Sequence, residues 1–192
     1  MNERLQQMLD HFEITRVLSE YCHGCDRMDA ALMSTVYARD SWDDHGVNKC
    51  PGPEFTHRTM LNMQPTDSVS HLQGQSLINI NGDEAGSETY FLAVVAARGD
   101  DGRAVIKQLG GRYVDTLVRE DGHWRIKKRI CVRDWSITLP RDADWLAGQN
   151  FVEGQRSQLD PSQMVLGLSH SGVFNVEQLR RSVADSETDV KS

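Results

Sequence analysis

The sequence predicts an α+β fold in which helices at the start of the chain cover one face of a strongly curved antiparallel sheet. Three observations lead there. Residues 3–28 place apolar groups at intervals of three and four, the spacing of an amphipathic helix. Residues 68–137 hold four β-rich stretches in succession. The links between those stretches read NGD, GDDG and DG, which is the turn chemistry of tight hairpins rather than of βαβ crossovers.

The first helix is expected to bury a stripe made of Leu5, Met8, Leu9, Phe12, Val17, Leu18, Tyr21, Cys22 and Cys25. Asp29 is placed to cap a second short helix, AALMSTVYA, and the polar run RDSWDDHG reads as a loop after it. Residues 53–64 read as a third helix that opens on Pro53 and Glu54 and is stopped by Pro65. Strands follow at 68–80, 84–98, 104–120 and 123–137, with Gly86, Gly110 and Gly111 as positions where the sheet can bend or bulge. From Leu139 the period-2 pattern is lost. There DADWLAGQ and FNVEQLRRSV are expected as short helices, and SETDVKS as a frayed end. The chain thus divides into a domain over 1–138 and an extension over 139–192, partly helical or irregular and expected at an oligomer interface. A sheet curved under a helix leaves a conical hollow, and such hollows are common small-molecule sites.

Composition removes several classes. Hydrophobic residues at 39% and charged residues at 26% describe an ordinary folded domain. A net charge of −7 argues against a general nucleic-acid or anionic-membrane binder. No apolar run approaches the roughly 20 residues that cross a bilayer. The start, MNERLQQMLDHFE, is too polar for a signal peptide, and four cysteines without one predict reduced thiols in a cytoplasm. Cys22 and Cys25 lack the second closely spaced ligand pair of a structural zinc site, so they read as small buried packing groups. The dense acids of DSWDDHG more readily hold a turn than a metal. No phosphate-cradling glycine loop or dinucleotide fingerprint is present, and neither metal nor cofactor is expected.

Several features coincide with one known family. A helix with Tyr21 and Asp26 in Y-x4-D, the D-x-x-DDHG loop, an isolated His71 opening the first long strand, and a late V-R-D-W strand resemble the SnoaL-like branch of the NTF2-like cone fold. The resemblance spans roughly residues 8–138. It implies a cavity in which His71 and Asp26 form an acid–base dyad, as in SnoaL-like lyases. It also implies that Tyr21 faces that cavity, the alternative being a core aromatic with its hydroxyl bonded nearby. Arg133 matches an arginine used by some members, although it could equally sit at an interface or pair with Asp134. Trp42 and His45 would line the pocket mouth, with Trp135 beside them.

The chemistry suits these residues. A neutral imidazole accepts a proton near pH 7, and a carboxylate on its other ring nitrogen fixes the tautomer and stabilises the imidazolium. The resulting expectation is a cofactor-independent lyase, a dehydratase or deformylating lyase, acting on a bulky aromatic or polycyclic molecule. Catabolism of lignin-derived diaryl compounds is one setting for it. An isomerase of the ketosteroid type and a non-catalytic binding or structural subunit remain as alternatives. A homo-oligomer, dimer or trimer, is expected because the outer face of such a sheet needs cover.

Overall fold

A computed structural model describes residues 3–64, 66–141 and 144–167. Helices α1 (Glu3–Asp26) and α2 (Ala30–Thr35) lead into strands β1 (Tyr37–His45) and β2 (Asn48–Pro51), then helix α3 (Gly52–Met63). Strands β3 (Ser68–Asn81), β4 (Glu84–Arg98), β5 (Ala104–Glu120) and β6 (His123–Pro140) follow, and the short helix α4 (Pro161–Leu166) comes last. The six strands form one sheet in the order β2-β1-β6-β5-β4-β3. Its long antiparallel meander β3–β6 curls around α1, and the core lies between them: Ile14, Leu18 and Tyr21 of α1 meet Phe91, Tyr113, Leu117, Trp124 and Ile126 of the sheet. No helix among the described residues is long and apolar enough to cross a membrane.

The local devices are those the residue types favour. Asp29 caps α2 by accepting from the Leu32 amide at 2.9 Å. The hairpin links carry their left-handed residues at Gly82, Gly102, and Asp121–Gly122.

Five expectations are corrected. The run read as a loop after α2 belongs to β1, which pairs in parallel with β6 and antiparallel with β2. Its inward positions are Ser41, Asp43 and His45, so its alternation is polar-in and carries no hydrophobic signal. On α1, Leu5, Met8, Leu9 and Phe12 are exposed, and the buried face runs through Asp10, Ile14, Val17 and Leu18. Asp10 accounts for the shift: it accepts from Gln6, Arg119 and Trp124, which pins this face of the helix to the β5–β6 hairpin. Gly86 lies in regular pairing; the irregularity of the β3–β4 pair falls between Gln73 and Ser76, beside Gly74. The described part of DADWLAGQ forms turns instead of a helix, while FNVEQLRRSV lies outside the described residues.

The fifth is Trp135, expected beside the pocket mouth and displaced by irregular pairing along β6. The register of that strand against β5 slips twice, once between Thr116 and Leu117 and once between Gly110 and Gly111. Each slip adds one residue to β6 and turns the following side chains to the opposite face. Trp124 and Ile126 therefore share the inner face with Arg129, Cys131 and Arg133, although strict alternation from Ile126 would turn those three outward. Past Asp134 the inward set changes again, and Trp135 leaves the inner face to pack over Gly110, where a Cβ would overlap its ring.

The segment after β6 returns to the helical side. Arg156 donates to the carbonyl oxygens of Met63 (2.5 Å) and Thr66 (3.0 Å), and more distantly to that of Asp26 (3.4 Å). Asp160 caps α4 through the Ser162 amide and lies 3.6 Å from Arg27. These contacts fasten residues 155–163 across the C-terminal end of α1.

Candidate active site

Between α1, α3 and the concave face of the sheet lies an open cavity of about 550 Å³. That volume falls within the range of ordinary small-molecule sites. Its walls are chiefly apolar and aromatic, with Phe91 and Tyr113 stacked at 4.2 Å in the sheet. Polar groups gather at two places on this wall.

The first place joins α1 to β3. The His71 Nδ1–H donates to Asp26 Oδ1 at 2.6 Å, and the His71 backbone amide donates to Oδ2 at 2.8 Å. Both carboxylate oxygens are thus engaged by one residue, which sets the ring as well as its tautomer. Nε2 is the nitrogen left for the cavity. Residues 45 apart in sequence meet here because Asp26 ends α1 on its buried face while His71 occupies an inward position of the edge strand β3.

The second place lies on β1. Asp43 is 0% exposed, accepts from the Tyr37 hydroxyl at 2.5 Å, and also accepts from His45 Nδ1–H. His45 stacks on Phe55, with 4.5 Å between centroids, and its Nε2 is 3.3 Å from the Tyr21 hydroxyl. Beneath this group lies Arg129, also 0% exposed, forked onto Asp115 at 2.8 and 2.7 Å. Its guanidinium sits 4.0 Å from the Tyr21 ring centroid and 4.2 Å from that of Tyr113. Burial alone would lower the Arg129 value, but the Asp115 charge and hydrogen bonds outweigh it and raise it well above the ordinary range, so the guanidinium stays charged. Burial raises the Tyr21 hydroxyl above its ordinary range, and Arg129 opposes that rise.

The expected site residues distribute unevenly. His71, Tyr21, His45 and Arg133 line the cavity, Arg133 at the exposed mouth with Ser136 Oγ at 3.5 Å. Trp42 does not line it: the residue alternates outward from Asp43, is 45% exposed, and borders a separate depression with Arg39 and Lys128. Trp135 does not line it either, being turned out by the β6 bulge and 48% exposed. Asp134 bonds Arg112, which also reaches Glu88, so this charged trio belongs to the outer face. Arg129, Asp115, Asp43 and Tyr37 were not singled out as site residues from sequence. Only a D-x-H pattern on one strand face and opposite charges at inward positions of neighbouring strands could have marked them.

Among the described residues, Cys25, Asp26 and His71 offer donor atoms within 4.8 Å of one another, the spacing of a metal site. Asp26 and His71 in this group already bond each other. Burial pushes the Cys25 thiol far above its ordinary value and Cys22 up to about 12, so without a metal both are held as neutral thiols.

N-terminal helices packed on a curled, unclosed six-stranded sheet make the NTF2-like cone fold. Within that fold class the chain belongs to the SnoaL-like family, whose domain model matches residues 6–130. None of the proteins with curated descriptions matches the chain in sequence. Solved structures share the fold at low identity. The hexachlorocyclohexane dehydrochlorinase LinA-type3 from Novosphingobium barchaimii is 16% identical with a TM-score of 0.64, over 79% of this chain and 99% of that one. A putative scytalone dehydratase from Novosphingobium aromaticivorans is 19% identical with a TM-score of 0.62, over 77% and 97%. The Kfla4162 protein from Kribbella flavida is 16% identical with a TM-score of 0.62, over 68% and 95%.

Proposed function

We propose that this protein is a cofactor-independent lyase for a flat aromatic or polycyclic small molecule, with His71 as the base. The observation that carries the reading is the doubly anchored His71–Asp26 pair on the wall of an open cavity. His71 Nε2 takes a proton from the substrate, and Asp26 stabilises the imidazolium that results. Tyr21, and Arg133 at the mouth, stabilise the oxygen that departs or gathers charge. This chemistry is proton transfer throughout, for which imidazole and carboxylate suffice. The stacked Phe91 and Tyr113 rings favour a planar ligand. Two of the structural relatives carry names of elimination enzymes, a dehydrochlorinase and a putative dehydratase, which supports an elimination here. Hydroxylated or methoxylated aromatic catabolites, processed by a homo-oligomer in the cytoplasm, complete the proposal.

The test is to incubate wild type and His71→Ala with a panel of hydroxylated and methoxylated aromatics and steroids and to read products by mass spectrometry. Loss of water or of formaldehyde from one compound, abolished in the variant, is the expected result. Turnover of the same compound by His71→Ala at the wild-type rate removes the assigned base. A product of unchanged mass with a shifted double bond converts the lyase into an isomerase that uses the same dyad.

A further inference from the structure

We infer that the His45–Asp43 pair, with Tyr21, is the acid half of the cavity, giving a proton to the substrate oxygen while His71 removes one from carbon. The inference rests on the reading of His71 as base. Asp43 is wholly enclosed, and a carboxylate without water must be matched by donors or positive charge. Tyr37 supplies one hydrogen bond and His45 the other, so the two Asp43 oxygens are both used by groups of the same strand. An imidazolium at His45 gives that carboxylate a counter-ion as well as a hydrogen bond.

The rest is direction. With Nδ1–H committed to Asp43, His45 presents Nε2 to the Tyr21 hydroxyl, and both residues line the cavity. A network serving only to hold β1 in place would have no need to bring its remaining ring nitrogen to a cavity hydroxyl. The ring is held in that direction by its stack on Phe55. On the sheet, Phe91 neighbours His71 and Tyr113 neighbours His45, and the two rings stack on each other, so an aromatic ligand over them has one imidazole toward each side.

The proton balance closes for an elimination. The C–H proton goes to His71 Nε2 and its electron pair forms the double bond. The C–O bond breaks with its pair on oxygen, which takes the Tyr21 proton. Tyr21 is then recharged from the His45 imidazolium. His71 ends with one proton more and His45 with one fewer, and exchange with solvent restores both. For an isomerisation the same Tyr21 proton goes to the enolate oxygen.

The test uses the full chain and 4-nitrophenol, whose absorbance distinguishes bound phenolate from bound phenol and whose oxygen imitates the one receiving the proton. Wild type is expected to bind it as phenolate. His45→Gln is expected to bind phenolate about tenfold or more weakly than His71→Ala does, the loss of one charged hydrogen bond. Tyr21→Phe, which leaves Asp43 and its bonds in place, should weaken phenolate in the same direction. The inference is overturned if wild type does not bind the probe as phenolate, if His45→Gln binds it as tightly as wild type, or if His71→Ala loses as much as His45→Gln. Failure of the lyase reading is seen separately, in product formation by His71→Ala.

Discussion

Two imidazole–carboxylate pairs face one cavity, and they are built in opposite ways. His71 and Asp26 come from a strand and a helix 45 residues apart, and the carboxylate is bonded by ring and backbone of the same histidine. His45 and Asp43 are two residues apart on a single strand, and their carboxylate is shared with Tyr37. The first pair exists only when α1 is correctly docked on β3. The second is set by strand alternation, but stands over the buried Arg129–Asp115 bridge. A pair assembled across elements is sensitive to docking, whereas a pair within one strand is sensitive to what lies under it.

The two pairs should differ most at the chemical step. Replacing His71 by Ala should reduce exchange of the acidic substrate proton with solvent deuterium by about 10²–10⁴-fold, the usual contribution of a positioned base. His45→Gln should leave that exchange much less affected; equal losses would erase the division of labour. The next effect is on stability. Arg129→Met leaves Asp115 as a buried unpaired charge and should cost about 3–5 kcal/mol in urea unfolding, whereas Arg129→Met with Asp115→Leu should regain much of it. Weaker still is the strap behind Asp26. Arg156→Ala removes the donor to the Met63 and Thr66 carbonyls and should cost about 1–3 kcal/mol, with amide exchange rising near Asp26 and His71 and not near His45.

The thiols give a pH test of the interior behind both pairs. Burial is the main cause that pushes Cys22, on α1 before Asp26, and Cys131, on β6, each up to about 12. A group whose proton is held more tightly when folded loses stabilising power as pH rises beyond its unfolded value. Stability should therefore fall from about pH 9 toward about pH 12, and Cys22→Ala with Cys131→Ala should delay that fall in thermal melts. The smallest effect is expected at Trp42→Ala, outside the cavity wall: a change within about 0.5 kcal/mol in stability and unaltered affinity for 4-nitrophenol.

Strand limits in the meander were legible because tight-turn residues punctuate long β-rich runs: β4 and β5 begin and end where the pattern placed them, at 84–98 and 104–120. Asp29 as a cap was legible for the same local reason. His71 and Asp26 came to notice through the family resemblance, and no periodicity could have given their 2.6 Å contact. What escaped notice lay where inward residues are polar. Ser41, Asp43 and His45 alternate inward without an apolar signal, so β1 resembled a loop. Trp135 shared the parity of Arg133 until a bulge of one residue intervened.

By itself, then, the sequence determined the order of helices and long strands and the turns between the meander strands, because helical spacing and tight-turn chemistry act over a few residues. Only the tertiary structure decided which side chains share the cavity. A strand's inward face reverses with every added residue, and a carboxylate can stay buried only where partners from other parts of the chain are brought to it.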